Sequence, residues 1–153
     1  MSSLTWHCLH HSELDAATLY ELLALRTQVF VVEQNCPYLE TDGQDLVGDT
    51  CHLLARDESG LVGYLRLLDP QHMEGEVVIG RVLTAERARG TGLGHRLMER
   101  ALVECGQRWP GGAGLSVGAG APAGLLRALW LRGGDRGVSG GRHPAYRHAP
   151  GCY

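Results

Sequence analysis

Residues 77–104 read Val77-Val78-Ile79-Gly80-Arg81-Val82-Leu83-Thr84-Ala85-Glu86-Arg87-Ala88-Arg89-Gly90-Thr91-Gly92-Leu93-Gly94-His95-Arg96-Leu97-Met98-Glu99-Arg100-Ala101-Leu102-Val103-Glu104. An apolar strand, a basic glycine turn and an amphipathic helix follow one another without a break. Gly90, Gly92 and Gly94 carry no side chain, so successive backbone N–H groups can converge on an anion. The helix they open sets Leu93, Leu97 and Ala101 on one edge, with Met98, Leu102 and Cys105 beside it, and aims the positive end of its dipole at the same point. Arg87 and Arg89 add formal charge. The segment therefore predicts a cradle for a pyrophosphate.

Spacing separates the phosphate folds that share this physics. Gly90-Thr91-Gly92-Leu93-Gly94 does not fit Gly-x-Gly-x-x-Gly, and no Gly-Lys-Ser/Thr follows, so the dinucleotide and P-loop fingerprints are not met. A plain strand-to-helix turn with solvated arginines is the simpler alternative, because turn glycines are common. Arg87-Ala88-Arg89-Gly90-Thr91-Gly92, following the strand, resembles motif A of the GNAT acetyltransferases, Arg/Gln-x-x-Gly-x-Gly/Ala. The resemblance implies an α/β fold with a mixed central sheet flanked by helices. It also implies acetyl-coenzyme A as cosubstrate, held by Arg87, Arg89, Gly90, Thr91, Gly92, Leu93 and Gly94, with the strand backbone at Val82 and Leu83 beside the acetyl and pantetheine groups.

At 153 residues and 16.6 kDa the chain suits one domain, and 44% hydrophobic residues can fill its core. No run approaches the ~18 apolar residues of a membrane span, and no basic segment followed by an apolar stretch opens the chain. A cytoplasmic protein without membrane partners is expected. Cys8, Cys36, Cys51, Cys105 and Cys152 are odd in number and lack Cys-x-x-Cys pairing, which favours reduced thiols over a disulfide framework or zinc site. The net charge of −3 is unevenly spread: residues 1–109 hold 16 acids and 9 arginines, −7, whereas 110–153 hold one acid and five arginines, +4. The basic tail lacks interleaved stacking aromatics and any binding module, so no nucleic-acid partner is expected.

Upstream, Thr5–His10 reads as a strand, and Asp15 can cap a helix running to about Val32. Leu19, Leu22, Leu23, Val29 and Phe30 share one face of that helix, and Arg26 lies on the same face. A buried guanidinium needs a partner, and Glu33, about two turns on, is the candidate. Glu33 to Asp49 form a loop with an acidic run, Glu40, Asp42, Asp45 and Asp49, expected to be solvated rather than a lure for a cationic acceptor. Cys51–Asp57 and Leu61–Leu68 read as a hairpin, and a loop at 69–75 leads into the Val77–Leu83 strand.

Arg26-Thr-Gln-Val-Phe30-Val-Val-Glu33-Gln34-Asn-Cys36-Pro37-Tyr38, with Asp42-Gly43, Asp45, Gly48-Asp49 and His52, is similar to the ElaA-like branch of the same family. With the cradle, the similarity spans nearly all of residues 5–109. Residues 1–109 are therefore read as the N-acetyltransferase core and 110–153 as an aberrant tail in which the C-terminal strands and helix are disrupted. Twelve of the 22 glycines lie in residues 111–153 and hydrophobic periodicity fades there. The family pattern of Tyr-Leu-Ser-Ala-Gln-Ala-His-Leu, Tyr-Tyr, Arg-Tyr-Gly-Phe and a closing Ile-Pro-His-Ile-Gly-Met-Arg is absent as written.

A single reading-frame slip restores it. When each true codon begins at the second base of a codon used here, Leu115 with Ser116 permits Tyr, Ser116 with Val117 permits Leu, and Val117 with Gly118 permits Ser. Gly118–Ala123 permit Ala-Gln-Ala-His-Leu, Leu125 to Arg127 permit Tyr-Tyr, Trp130 with Leu131 forces Gly, and His143 to Pro150 permit the closing segment. The slip falls between Trp109 and about Ala113.

The family resemblance implies attack of a neutral amine, from a small molecule or a peptide, on the acetyl thioester, with strand N–H groups on the oxyanion and a tyrosine as acid for the thiolate. That tyrosine belongs to the missing segments, so no general acid can be assigned. Glu33 is the candidate base or amine-binding carboxylate, weighed against simple pairing with Arg26. His10, His11 and His52 lack metal-ligand spacing and Cys36 and Cys51 lack a His-Asp relay, so neither a metal nor a thiol nucleophile is expected. A homodimer is compatible with this reading. Two alternatives stand beside it: a catalytically dead coenzyme A-binding or misfolded remnant, and an acyl-homoserine-lactone synthase-like enzyme, which shares an early Arg-x-x-Val-Phe segment.

Overall fold

The computed structural model describes residues 3–111, 114–117 and 138–139, the last pair by backbone alone. Six strands form one sheet in chain order: β1 (Thr5–His10), β2 (Cys51–Asp57), β3 (Gly60–Leu68), β4 (Glu76–Thr84), β5 (Gly114–Val117) and β6 (Val138–Ser139). The first four are antiparallel neighbours, and β4–β5 and β5–β6 are parallel, so the sheet is mixed as expected. Helix α1 (Ala16–Thr27) covers one face and α2 (Leu93–Arg108) the other.

Each helix forms where the sequence provides a start and an apolar stripe. Asp15 caps α1 by accepting the Thr18 N–H at 2.7 Å, and the helix continues through a π turn, Gln28–Val32. Leu22 and Val29 reach Leu54, Leu61, Tyr64 and Leu83 across the sheet. On the opposite face, Leu93, Leu97, Met98 and Ala101 of α2 pack against Leu53, Val62, Leu65, Ile79 and Val82. Leu97 is fully buried, and truncating such a leucine to alanine costs about 2–5 kcal/mol. Arg96 and Arg100 of α2 lie over the Trp6 ring at 5.5 and 5.2 Å and tie the helix to β1.

Two departures of β4 from a regular strand position the site. Its pairing with β3 steps from Gly80 opposite Arg66 to Leu83 opposite Tyr64, so one extra residue is accommodated in β4, and Arg81 takes a left-handed φ of 54°. Ile79 and Val82, three residues apart, consequently both face α2. On its other side β4 pairs with β5 only from Glu76 to Ile79. Among the described residues, no strand pairs with that side of β4 over 80–84.

The expected disruption of the C-terminal strands does not extend to Gly114–Val117. Parallel pairing uses backbone groups that every residue carries, and Val117 is buried while Leu115 packs on the α2-side core. The expected C-terminal helix and closing hairpin lie outside the described residues, apart from the Val138–Ser139 strand. Cys8, Cys51 and Cys105 are free thiols as expected, whereas Cys36 is disulfide-bonded, a correction that sequence spacing alone could not supply.

Candidate functional site

The glycine turn joins the end of β4 to the start of α2. After β4, residues 86–88 make one tight helical turn, and Gly90 and Gly92 follow at φ 77° and 79°. A non-glycine residue is strained in that region. A Cβ built on either glycine meets no atom of the described residues within 4 Å, so among those residues the space above the turn is open. Gly92 caps α2 without a side-chain hydrogen bond, and Arg96 N–H to Gly92 O at 3.3 Å starts the helical pattern. The N–H groups of Leu93, Gly94 and His95 therefore stand at a helix N-terminus with its positive dipole end. Thr91 Oγ1 donates to Ala88 O at 2.6 Å and holds the turn closed, while Leu93 is buried beneath it as an anchor.

The remaining sequence-designated residues converge on the same end of β4. Val82 and Leu83 bury their side chains on opposite faces, leaving their backbone at the part of β4 that extends past β5. Arg89 donates from Nε and Nη2 to Thr84 O at 3.3 and 3.2 Å, and from Nη2 to Glu33 Oε2 at 2.7 Å. Arg87 is bonded to Asp57 at the tip of the β2–β3 hairpin. Glu33 thus lies beside the cradle, brought there by the π turn that ends the α1 segment.

Glu33 is not the partner of Arg26, contrary to the sequence expectation. Arg26, fully buried, donates Nε–H to Glu40 Oε1 at 2.7 Å and Nη1–H to Asp45 Oδ1 at 2.5 Å. The expectation of a solvated acidic run fails for the same reason. Glu40, Asp42 and Asp45 turn inward to meet three cations, Arg26, Arg66 and Arg81, because a buried guanidinium requires opposite charge and hydrogen-bond acceptors. Asp49 alone of the run is largely exposed, against His10.

Arg66 and Arg81 are members that the sequence reading did not single out. Each is a lone charge inside an apolar strand, within Leu61–Leu68 and Val77–Leu83, and that pattern is the signal that marks them. Arg81 sits at the β4 bulge and donates Nε–H to Glu40 Oε1 at 2.9 Å, so the bulge and the 33–49 loop are locked together. Burial opposes the charge of Arg26, but Tyr64, Asp45 and Glu40 outweigh it and raise its pKa above the usual arginine value. Burial likewise opposes ionisation of Asp42, and Arg66 and Arg81 overcome it, holding the carboxyl at about 2.

Two aromatic hydroxyls lie in this region. Tyr38 donates to Glu40 Oε2 at 2.5 Å, and burial followed by that hydrogen bond pushes its pKa up. Tyr64, fully buried, shares a 2.6 Å hydrogen bond with His52 Nδ1, while His52 Nε2 meets Asp45 O at 2.9 Å. His52 is thereby a satisfied core residue. Burial pulls its pKa down to about 4.

A mixed sheet whose parallel pair parts after Ile79, with a glycine turn opening a helix beside the parting, defines the acyltransferase class of α/β fold. The model of the Acetyltransferase (GNAT) family matches residues 16–119, and the chain belongs to that family, on its ElaA-like branch. Protein ElaA of Escherichia coli (strain K12) is 49% identical over 107 residues, covering 70% of each chain. A UPF0039 protein of Schizosaccharomyces pombe is 43% identical over 104 residues, 67% of this chain and 66% of its own. Among solved structures, E. coli ElaA superposes with a TM-score of 0.77 at 44% identity over 86% of each chain. An acyl-CoA N-acyltransferase from Pseudomonas aeruginosa is 61% identical, with a TM-score of 0.68 over 70% of this chain and 73% of that one.

Proposed function

We propose that the chain is built to bind acetyl-coenzyme A and to direct its acetyl group to an amine of a small molecule or peptide. The observation that carries this reading is the open turn at Gly90 and Gly92, at a helix N-terminus and next to the part of β4 that, among the described residues, is paired with β3 alone and has no partner on its β5 side. Its residues suit the cofactor: backbone N–H groups of residues 90–94 for the pyrophosphate, Arg87 and Arg89 for added charge, and the backbone at Val82 and Leu83 for the acetyl and pantetheine end. When bound, the cofactor supplies a thioester-activated acetyl group.

The chain's own residues then have separable tasks. N–H groups of β4 past the bulge stabilise negative charge on a carbonyl oxygen, and the Arg81–Glu40 contact fixes that stretch of backbone. Glu33 is the carboxylate that takes the amine's charge or proton. Tyr38 commits its proton to Glu40 and is assigned no acid role.

The same proposal takes residues 1–109 as the N-acetyltransferase core and 110–153 as out of frame relative to the family, with the tyrosine acid among the replaced residues. The codon reading supports this, since one slip restores the family pattern throughout the tail. The nucleotide sequence across codons 105–120 tests the slip directly. Function is tested by incubating the chain with acetyl-coenzyme A and a panel of primary amines and polyamines while following thiol release. Acceptor-dependent thiol release supports acetyl transfer; cofactor binding without turnover supports a non-catalytic remnant.

A further inference from the structure

Both arginines of the cradle are already engaged by carboxylates of the same chain. Arg89 donates to Glu33 Oε2 at 2.7 Å, and Arg87 is bonded to Asp57. The two carboxylates come from unrelated elements, the end of the π turn and the β2–β3 hairpin. Both arginines keep more than two-fifths of their side-chain surface exposed, at 43% and 44%, so each can swing without unpacking the core. Glu86, on the same turn, makes no ion pair among the described residues and is exposed.

We propose that Glu33 and Asp57 are placeholder anions. Before the cofactor arrives they occupy the cations that its pyrophosphate takes over. The pyrophosphate brings two linked negative charges, one to each arginine, and meets the helix N-terminus as well, so it displaces both acids. Seating the pyrophosphate frees the Glu33 carboxylate from Arg89 at the moment the thioester is in place. An amine acceptor then finds an unpaired carboxylate only when the cofactor is bound. The inference rests on the coenzyme A reading above and adds an order to the two binding events.

The test is calorimetric titration of the full chain with coenzyme A. Glu33→Gln and Asp57→Asn each remove a competitor worth a partly exposed ion pair, so each is expected to bind about 1.5- to 5-fold more tightly than the parent. Glu86→Gln controls for the loss of a nearby negative charge alone. The gain of Glu33→Gln should vanish in an Arg89→Ala background, where no cation remains to be contested. Variants no tighter than Glu86→Gln, or a gain that persists without Arg89, overturn the placeholder role. Failure of the coenzyme A reading itself looks different: neither the parent nor any variant binds, or Gly92→Val leaves affinity unchanged.

Discussion

Arg26 Nε lies 2.7 Å from Glu40 Oε1, with the two side chains at 0% and 5% exposure. Arg81 Nε donates to the same oxygen at 2.9 Å, and Asp45 takes Nη1 of both Arg26 and Arg66. Three arginines and three carboxylates thus neutralise one another between α1, β3, β4 and the 33–49 loop. Removing one member leaves a buried charge uncompensated. Arg26→Ala is expected to destabilise the protein by about 3–5 kcal/mol, read from a urea melt. A loss below ~1 kcal/mol would place Arg26 among surface ion pairs and contradict its burial.

Acid should unfold the protein in two successive windows. His52 has a folded pKa of about 4 against an ordinary 6.5, because burial disfavours its charged form. The unfolded chain therefore takes up this proton first: the stability is full above pH 6.5 and falls, by roughly 3 kcal/mol, as pH drops to 4. Asp42 is held at about 2 against 3.8, so its contribution is present above 3.8 and is lost as pH falls toward 2. Stability measured by denaturant titration at half-unit steps should decline across both ranges, and His52→Gln should flatten the upper one. A parent curve that is flat between pH 6.5 and 4 would contradict the burial of a neutral His52.

A version of the chain restored to the family frame after Trp109 should be both more stable and more active. Under the proposed slip it regains the apolar helix and hairpin pattern, whose burial counts heavily in a domain with a total stability of about 5–15 kcal/mol, together with the tyrosine proposed as the acid. Thermal melts and acetyl-coenzyme A turnover on the same amine panel separate the two gains. Equal melting and equal turnover would establish residues 110–153 as a working segment and retire the slip as a cause of lost function.

Much of this architecture is legible along the chain. Strand Thr5–His10, the Asp15 cap, the hairpin and the strand-turn-helix of 77–104 all announce themselves by local periodicity and turn chemistry, and local signals survive folding. The Glu33 assignment shows where such signals stop. Counting residues along a helix puts Glu33 two turns from Arg26, but the π turn and the left-handed Asn35 redirect the chain, so Glu40 and Asp45 reach Arg26 while Glu33 reaches Arg89. The acidic run looks solvated along the chain for a related reason: its partners Arg66 and Arg81 lie on strands distant in sequence, and only the sheet register brings them together. The β4 bulge leaves no local mark either, because Arg81 is not a residue that favours positive φ.

Gly92→Val probes the proposed seat of the cofactor's pyrophosphate at residues 90–94. A Cβ at Gly92 meets no atom of the described residues within 4 Å, so a valine there at φ 79° strains the turn and takes up the space proposed for the ligand. Isothermal titration with coenzyme A, alongside a thermal melt to confirm folding, should show affinity reduced at least about ten-fold, equivalent to 1.4 kcal/mol. A folded Gly92→Val protein that binds coenzyme A as tightly as the parent would show that the glycine turn only connects a strand to a helix.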